Sequence, residues 1–492
     1  MTFSNPVIPG FHPDPSVCRA GDTYVLATSS FTYAPGVPVF QSTNLVDWEQ
    51  VGNALDRPTQ LDLTRTLDWA SLGIYAPTIR YHDGRFWIVT TNVGTGGATN
   101  FIVSTDDPAG SWSDPVPVPV AGIDPDLAWD RDGNCWLHFS GMGGIARCRI
   151  DPSTGSVLAG PERTWSGTGL QFPEAPHLFE RDGTWYLTIA EGGTFAGHGV
   201  SVARGPSPTG PWEGAPSNPV LTHRSTDRPI QNIGHADLVE ATDGSWWMVL
   251  LGVRSRGIAP GFHVLGRETF LTPVSWVDGW PVPGEVRLEG ESRPPGPAQA
   301  THAEGRDDFD DARLSAQWVG IRHSPVTLSS LSARPGWLVL EGREATLDSP
   351  EPVFVGRRQE HERCRIRSSV DAGSATEAGV ALLMDSSAHY EVGVRGGRIV
   401  ARARIGPIEA VVGESPSPGG PVVLTISTEP HRTGPDMVTL GYEDDKGAVH
   451  PLSRLDGRYL STEVTGGFLG RTVGMYSIGG AAAFDWFEYE ET

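Results

Sequence analysis

The first 285 residues carry a recurring pattern of short hydrophobic runs around a polar turn. One copy reads Glu174-Ala-Pro-His-Leu-Phe, then Asp182-Gly183, then Trp185-Tyr186-Leu187. Asp-Gly accepts positive φ at both central positions of a tight turn, and aromatic and branched residues favour strands, so each copy predicts a β-hairpin. Four copies place their lead residue eight positions before the Asp of Asp-Gly, whereas the first copy is one residue shorter and its turn is inverted to Gly-Asp. The five lead residues are Asp14, Tyr75, Asp124, Glu174 and His235.

A second signal follows the hairpins. Segments rich in Ser, Thr, Asp or Pro end in a tryptophan at Trp48, Trp112 and Trp212. Each unit therefore has room for about four strands over roughly 45–60 residues. Five such units in one phase predict an all-β fold that begins with a five-bladed β-propeller.

The repeat stops after Trp280-Pro281. A polar segment rich in Pro and Ala follows and predicts a linker that starts at about residue 286. From residue 307 to residue 492, short and partly alternating strands continue without the repeat signature, which favours a β-sandwich. The predicted domains are a propeller over 1–300, linker included, and a sandwich over 307–492.

Composition narrows the classes of function. The chain has 492 residues and a formal net charge of -22, which disfavours nucleic acid and anionic membranes as partners. The sequence contains no apolar run of about 18 residues, as a membrane-spanning helix would require. The N-terminus has no basic region followed by an apolar one, so no signal peptide is visible and a cytoplasmic location is expected. The four cysteines form no CxxC pair, which disfavours a zinc site.

The lead residues of the repeat point to the chemistry. In a propeller, equivalent positions lie at equivalent places around the axis, so these five side chains should converge at one end of the central channel. Three of them, Asp14, Asp124 and Glu174, are carboxylic acids. Glycoside hydrolysis needs one carboxylic acid to protonate the leaving oxygen and one carboxylate to activate water or attack carbon. A third carboxylate nearby would keep the acid protonated by repulsion between like charges.

The same stretches resemble the family-43 glycoside hydrolases. The resemblance spans residues 5 to 282 and is carried by NPVIPGFHPDPSV, SSFTYAPGVPVFQSTNLVDW, GIYAPTIRYHDGRFW, DPDLAWDRDG, EAPHLFERDGTWYLTIAEGGT, GHADLV, LGRETF and WVDGWPV. It implies a five-bladed propeller that acts as a β-xylosidase or an α-L-arabinofuranosidase. The C-terminal part resembles the β-sandwich, of jelly-roll or concanavalin-like type, that one branch of that family carries.

The resemblance also implies roles for single residues. Asp14 would be the general base, Glu174 the general acid and Asp124 the residue that modulates the pKa of the acid. Tyr75 departs from the tryptophan of many relatives, and Asp126 stands where relatives often have a small residue; both bear on substrate preference. The substrate-binding residues it implies are Phe31, Tyr75, His235, Arg267 and Phe468.

The predicted function is that of an inverting exo-glycosidase that releases terminal xylose from β-1,4-xylo-oligosaccharides. An α-L-arabinofuranosidase or a bifunctional enzyme is the alternative, since the two pentoses present similar hydroxyl groups. A non-catalytic sugar-binding propeller is the alternative from another class, although such a protein should have lost Asp14 or Glu174. No cofactor is required by this chemistry; a structural calcium or other cation near His235 stays an open alternative, as does a homo-oligomer.

Overall fold

The structure is a computed structural model that describes residues 2–60, 62–63, 70–299 and 305–492. The regular secondary structure of the described residues is almost entirely β-strand. Within them, the helical segments are short and all belong to the C-terminal half: Pro325–Leu328, the 3-10 turn Gly457–Leu460 and Thr462–Thr465.

Strands between residues 16 and 283 form five antiparallel sheets, called blades one to five in chain order. Blade one contains Ser16–Ala20, Thr23–Ala27, Gly36–Ser42 and Glu49–Leu55. Blade two contains Gly73–Ile74, Thr78–His82, Arg85–Gly94, Gly97–Thr105 and Val116–Val118. Blade three contains Ile123–Trp129, Cys135–Gly141, Gly144–Asp151 and Ser156–Trp165. Blade four contains Glu174–Arg181, Thr184–Glu191, Gly199–Gly205 and Glu213–Gly214. Blade five contains Ile230–Glu240, Trp246–Arg254, Glu268–Val277 and Trp280–Pro283.

The blades close into a ring. The innermost strand of each blade contacts the innermost strand of the next, and that of blade five contacts that of blade one. The predicted Asp-Gly turns join the first two long strands of a blade, and in blades two and four both turn residues have positive φ (Asp83, Gly84, Asp182 and Gly183). The chain is therefore all-β with an N-terminal propeller, as predicted.

A buried network of charges crosses the middle of this ring. Arg80 of blade two contacts Asp237 of blade five at 2.7 Å and Asp126 of blade three at 2.9 Å. The same guanidinium is 3.1 Å from Nδ1 of His177 in blade four and 3.2 Å from the hydroxyl of Ser16 in blade one. The side chain of Arg80 thus contacts the innermost strand of each of the other four blades.

Each carboxylate of the network also accepts a backbone hydrogen bond from the following blade. Asp126 accepts from the N–H of Leu178 at 2.7 Å, and Asp237 accepts from the N–H of Val17 at 3.0 Å. Blade three is thereby joined to blade four, and blade five to blade one. Arg80 connects these two pairs.

The C-terminal half is a sandwich of two antiparallel sheets. Its buried core contains Trp318, Phe354, Tyr476, Phe484 and Phe487. The first sheet contains Arg306–Asp307, Ser329–Ser330, Leu338–Gly342, Cys364–Asp371, Val422–Pro430, Asp436–Glu443, Val449–Asp456 and Gly480–Glu491. The second sheet contains Phe354–Arg358, Glu377–Asp385, Ala388–Arg395, Arg398–Ile405, Ile408–Pro416 and Thr472–Ile478.

The segment between the domains is held against the propeller. Glu289–Gly290, inside the predicted linker, pairs with Phe3–Ser4. Further along, the backbone N–H of Gln299 donates to Asp47 at 3.0 Å. A polar composition predicted a linker, but paired backbone groups fix this part of it in place. Residues 300–304 of the predicted linker lie outside the described residues.

The two domains share one buried apolar surface. Tyr33–Ala34 of the propeller pairs with Gly320–Ile321 of the sandwich. Phe11, Phe31 and Tyr33 belong to the same buried cluster as the sandwich core. This continuous packing fixes the position of the sandwich relative to the propeller mouth.

Backbones from the two domains also come into direct contact near the mouth. A Cβ atom added to Gly470 would be 2.4 Å from the carbonyl oxygen of Leu265 and 2.8 Å from the Cα of Gly266. No side chain fits between these backbones, so glycine is required here. Two predicted site residues are next to this contact along the chain: Arg267 directly follows Gly266, and Phe468 comes two residues before Gly470.

Replacing Arg80 should destabilise the protein in a pH-dependent way. Burial favours the protonated form of both Asp126 and Asp237, and the charge of Arg80 opposes this for each. The pKa of Asp126 is raised to about 7, whereas that of Asp237 is lowered. Arg80→Met removes that charge and should cost about 3–5 kcal/mol. Because the two carboxyls would then have raised pKa values in the folded state, the deficit should grow as pH rises. Thermal melts at pH 5 and pH 8 measure it.

The matched control for that experiment is Arg85→Met. Arg85 lies in the same blade but pairs with Asp106 at the surface, at 2.8 Å, so its removal should change the melting temperature little. Equal melting temperatures for Arg80→Met and wild type at both pH values would contradict the structural role of the network.

Gly470→Ala should separate the two domains locally. The added methyl group forces apart two backbones that have no flexible side chain to displace, a kind of overpacking that costs about 1–3 kcal/mol. We expect a lower melting temperature together with lower turnover. Gly52→Ala is the control, because a Cβ at Gly52 meets no atom within 4 Å. Identical behaviour of the two variants would refute the close contact.

Candidate active site

The three predicted carboxylates lie at the same end of the innermost strands. Asp14 comes two residues before Ser16–Ala20, Asp124 is the second residue of Ile123–Trp129, and Glu174 is the first residue of Glu174–Arg181. Asp14 and Asp124 are buried. The charge of Asp14 acts on both Glu174 and Asp124, and that of Glu174 acts on Asp124, so the three side chains form one cluster.

Irregular backbone directs these side chains toward the axis. The pairing register shifts between Ile123 and Asp126, between Glu174 and His177, and between Gly234 and Asp237. Bulges of this kind bend a strand and redirect side chains, and they are common beside active sites. Left-handed backbone accompanies them at Asp14, Asp124, Ala175 and His235.

Asp14 is surrounded by donors. It accepts a hydrogen bond from Ser29 at 2.5 Å and pairs with Arg267 at 2.7 Å, and Nδ1 of His235 is 3.5 Å away. Burial alone would raise the pKa of Asp14, but Arg267, His235 and the Ser29 hydrogen bond together hold it below its ordinary value. Asp14 is therefore ionised at neutral pH.

Glu174 and Asp124 are in the opposite situation. Burial, followed by the charge of Asp14, raises the pKa of Glu174 to about 7. Burial and the charges of Glu174 and Asp14 raise the pKa of Asp124 well above its ordinary value, although the N–H of Ala175 donates to it. The cluster thus retains a proton at neutral pH beside a carboxylate that has none.

Arg267 links the acids to the walls of the pocket. One of its nitrogens bonds Asp14 and lies 3.3 Å from the hydroxyl of Thr194. Nε and the other terminal nitrogen are buried and have no hydrogen-bond partner among the described residues. Buried donors are normally paired, so the N–H groups on these two nitrogens are available to a ligand.

Three aromatic rings line the other side. Phe31 lies 5.0 Å from Tyr75 and 5.9 Å from Phe468 between ring centroids, and Tyr75 and Phe468 are 6.2 Å apart. The guanidinium of Arg267 is 5.5 Å from the centres of both phenylalanine rings. The backbone N–H of Phe468 donates to Ser71 at 2.9 Å, which anchors this sandwich loop on the propeller. The sandwich therefore supplies one wall of the pocket.

The structure brings the whole predicted set into one pocket. His235 contacts Asp14, and its pKa is lowered by burial, so its ring is neutral at neutral pH. The set comprises Asp14, Phe31, Tyr75, Asp124, Glu174, His235, Arg267 and Phe468.

The geometry also separates the two neighbouring acids of blade three. Asp124 faces Glu174, whereas Asp126 pairs with Arg80 inside the ring. Alternation along a strand does not explain this difference, because the side chains of residues that are two positions apart should lie on the same face of the strand. The bulge between Ile123 and Asp126 breaks the alternation.

Sequence reasoning missed one member of the pocket, His198. Its Nδ1 lies 2.9 Å from the carbonyl oxygen of Asn232. A carbonyl only accepts, so Nδ1 carries the proton and Nε2 is left as an acceptor. Burial lowers the pKa of His198 to about 4, and the charges of Arg267 and Asp14 act on it. His198 lies in the loop after the second strand of blade four, and the Ser29–Phe31 segment lies in the equivalent loop of blade one. This equivalence was the signal in the sequence that could have identified His198.

Two further observations concern ions and membranes. Across the described ranges, no group of three His, Cys, Asp or Glu side chains is arranged to hold a metal ion. The hypothesis of a cation near His235 thus rests on the resemblance alone.

None of the helices in the described part of the chain has the length and hydropathy needed to span a membrane.

Comparison with known proteins places the chain in a family. Residues 3–281 match the glycosyl hydrolases family 43, and residues 306–490 match the β-xylosidase C-terminal concanavalin A-like domain. The second match confirms the predicted type of sandwich.

Similar proteins cover the full length. A non-reducing end α-L-arabinofuranosidase of Bacteroides ovatus is 38% identical over 99% of this chain and 94% of its own. A xylosidase/arabinosidase of Butyrivibrio fibrisolvens is 35% identical over 96% of this chain and 95% of its own. The crystal structure of a family-43 protein from Bacillus licheniformis superposes with a TM-score of 0.93 at 30% identity and covers 100% of both chains. The chain belongs to glycosyl hydrolase family 43 and is a glycosidase.

Proposed function

We propose that the enzyme is an inverting exo-glycosidase that releases terminal xylose from β-1,4-xylo-oligosaccharides. The observation that carries the proposal is the opposite state of two neighbouring acids. Asp14 is held ionised by Arg267 and Ser29, while Glu174 has its pKa raised to about 7 by burial and by Asp14. A base and a protonated acid in one pocket are what hydrolysis of a glycosidic bond needs.

The roles follow from these states. Glu174 donates its proton to the oxygen of the departing sugar, and Asp14 takes a proton from the water that attacks the anomeric carbon. Asp124 modulates the pKa of Glu174. The charge of Glu174 raises the pKa of Asp124, so the two carboxyls interact and the pair resists losing its last proton. The unpaired N–H groups of Arg267 bind sugar hydroxyls, and Phe31, Tyr75 and Phe468 surround the ring. Two carboxyl groups suffice for this chemistry, so no cofactor enters the proposal.

An α-L-arabinofuranosidase is the second candidate. It is favoured by the relatives, since one is named an arabinofuranosidase and another a xylosidase/arabinosidase. The same acid and base would serve both sugars, so only the fit of the sugar ring separates the candidates. A non-catalytic propeller is disfavoured because Asp14, Asp124 and Glu174 are all present and clustered.

The stereochemistry of the first product tests the proposal. With an aryl β-xyloside as substrate, whose leaving group is not a sugar, proton NMR at early times should show α-xylose, because water attacks the face opposite to the leaving oxygen. A parallel assay with α-L-arabinofuranosides decides between the two candidate sugars. Early β-xylose would indicate a covalent intermediate and would refute inversion, and no release of pentose from either substrate would refute the function.

The pH dependence of kcat/KM should report the two acids separately. Activity should fall at acid pH as Asp14 becomes protonated, and should fall again as pH rises through about 7 and Glu174 loses its proton; this second fall is the alkaline limb of the profile. Asp124 and Glu174 interact as they titrate, so the last proton of the pair is lost beside a carboxylate and is held to higher pH. Asp124→Asn removes this interaction, so the pKa of Glu174 should fall and the alkaline limb should move to lower pH. The acid limb should move less.

Two further variants serve as controls for this assignment. Glu174→Gln should abolish the alkaline limb, and Asp14→Asn should abolish the acid limb, each with a loss on the order of 10²–10⁴-fold. If Asp124→Asn leaves the alkaline limb in place while its melting curve matches wild type, Asp124 does not modulate Glu174.

A further inference from the structure

Two phenylalanine side chains are exposed on the face that carries the active site. Phe172 is 60% exposed and Phe195 is 57% exposed. Phe172 comes two residues before Glu174. Phe195 follows Thr194, whose hydroxyl lies 3.3 Å from Arg267. Both rings are therefore attached to the backbone that positions the proposed acid and the sugar-binding arginine.

The two rings lie close to the same glycine. A Cβ atom added to Gly193 would be 3.0 Å from Cε2 of Phe195 and 3.3 Å from Cδ2 of Phe172. Both rings thus approach the same backbone point from two different loops. Isolated apolar side chains are normal on a protein surface, but two exposed rings beside the same glycine, next to a catalytic pocket, are a local concentration of apolar surface.

The loops that present the rings are fixed by hydrogen bonds. The N–H of Gly192 donates to the carbonyl of Gln171 at 2.7 Å, which joins the two loops. Thr168 donates to the buried carboxylate of Glu191 through its N–H at 2.8 Å and its hydroxyl at 2.7 Å. The rings are thus held on a well-supported backbone that leaves more than half of each residue exposed.

We propose that Phe172 and Phe195 form the binding surface for the sugar on the leaving-group side of the scissile bond. The inference rests on the proposed function. Glu174 protonates the oxygen that joins the two sugars, so the departing sugar lies on the side of the pocket next to Glu174, where these rings are. Phe31, Tyr75 and Phe468 line the other pocket wall, around the terminal sugar whose anomeric carbon is attacked by water.

An aromatic ring and a pyranose are chemically suited to this contact. The face of an aromatic ring carries partial negative charge, and the C–H groups on the face of a pyranose carry partial positive charge, so the two stack. Xylose has no hydroxymethyl group, and both of its faces are open to such contact. The rings would select leaving groups that have a flat apolar face and would contribute nothing when the leaving group is a small ion.

Comparison of two substrates isolates this contact. Xylobiose places a sugar on the two rings, whereas β-xylosyl fluoride loses fluoride and places nothing there. Phe172→Ala and Phe195→Ala should each lower kcat/KM on xylobiose about 3- to 10-fold, the usual worth of one aromatic contact. Turnover of β-xylosyl fluoride should stay within about twofold of wild type. Phe172→Tyr and Phe195→Tyr should retain activity on xylobiose.

Tyr81→Ala is the matched control. Tyr81 is an aromatic residue that is 42% exposed, and it lies beside the Asp83-Gly84 turn, at the opposite end of its strand from Tyr75. This variant should act on both substrates like wild type.

Each alternative outcome is distinct. Equal losses on xylobiose and on the fluoride would show that the rings support the pocket itself and would overturn the inference, as would unchanged activity on both. If wild type hydrolyses neither substrate, the proposed function fails and the inference fails with it.

Discussion

The position of Arg80 is the constraint on which the rest of the structure depends. A propeller has no continuous sheet around its axis, so its innermost strands must be held together by side chains. Here one guanidinium contacts Asp126 and Asp237, whose carboxylates accept backbone hydrogen bonds from the following blades. Burying these charges is costly unless they are paired with good geometry, and the network supplies that pairing. Asp124 and Asp126 are two residues apart, so the network also fixes the strand that carries an acid of the pocket.

Electrostatic interactions determine which of the three acids Asp14, Asp124 and Glu174 is ionised. All three are buried in the same cluster, so burial favours the protonated form of each. Arg267 lies 2.7 Å from Asp14, and this contact decides which acid is ionised. The resulting negative charge then keeps Glu174 protonated. A single arginine placed nearer to one acid than to the others therefore creates both members of the proposed pair.

The sandwich completes the pocket. Phe468 contacts Phe31 and Tyr75, and its loop is held by Ser71 and by the contact between Gly470 and Leu265. The apolar cluster that continues from Phe31 into the sandwich core makes this wall rigid. The propeller supplies the acids, and the second domain limits the space available to the sugar.

The sequence by itself determined the repeat and the identities of the acids. Asp-Gly turns and alternating runs are local signals, and a repeat of constant phase places its lead residues at equivalent points around an axis. Asp14, Asp124, Glu174 and His235 could be found in this way. Arg267 and Phe468 lie outside the lead positions and came from the resemblance to a family.

Tertiary structure alone decided how those residues act. The bulge that separates Asp124 from Asp126 has no mark in the sequence, because it depends on pairing between strands. The partners of Arg80 and the contacts of His198 come from segments far apart in the chain. The state of each acid depends on the distance to Arg267 and on burial from water, and both exist only after the chain has folded.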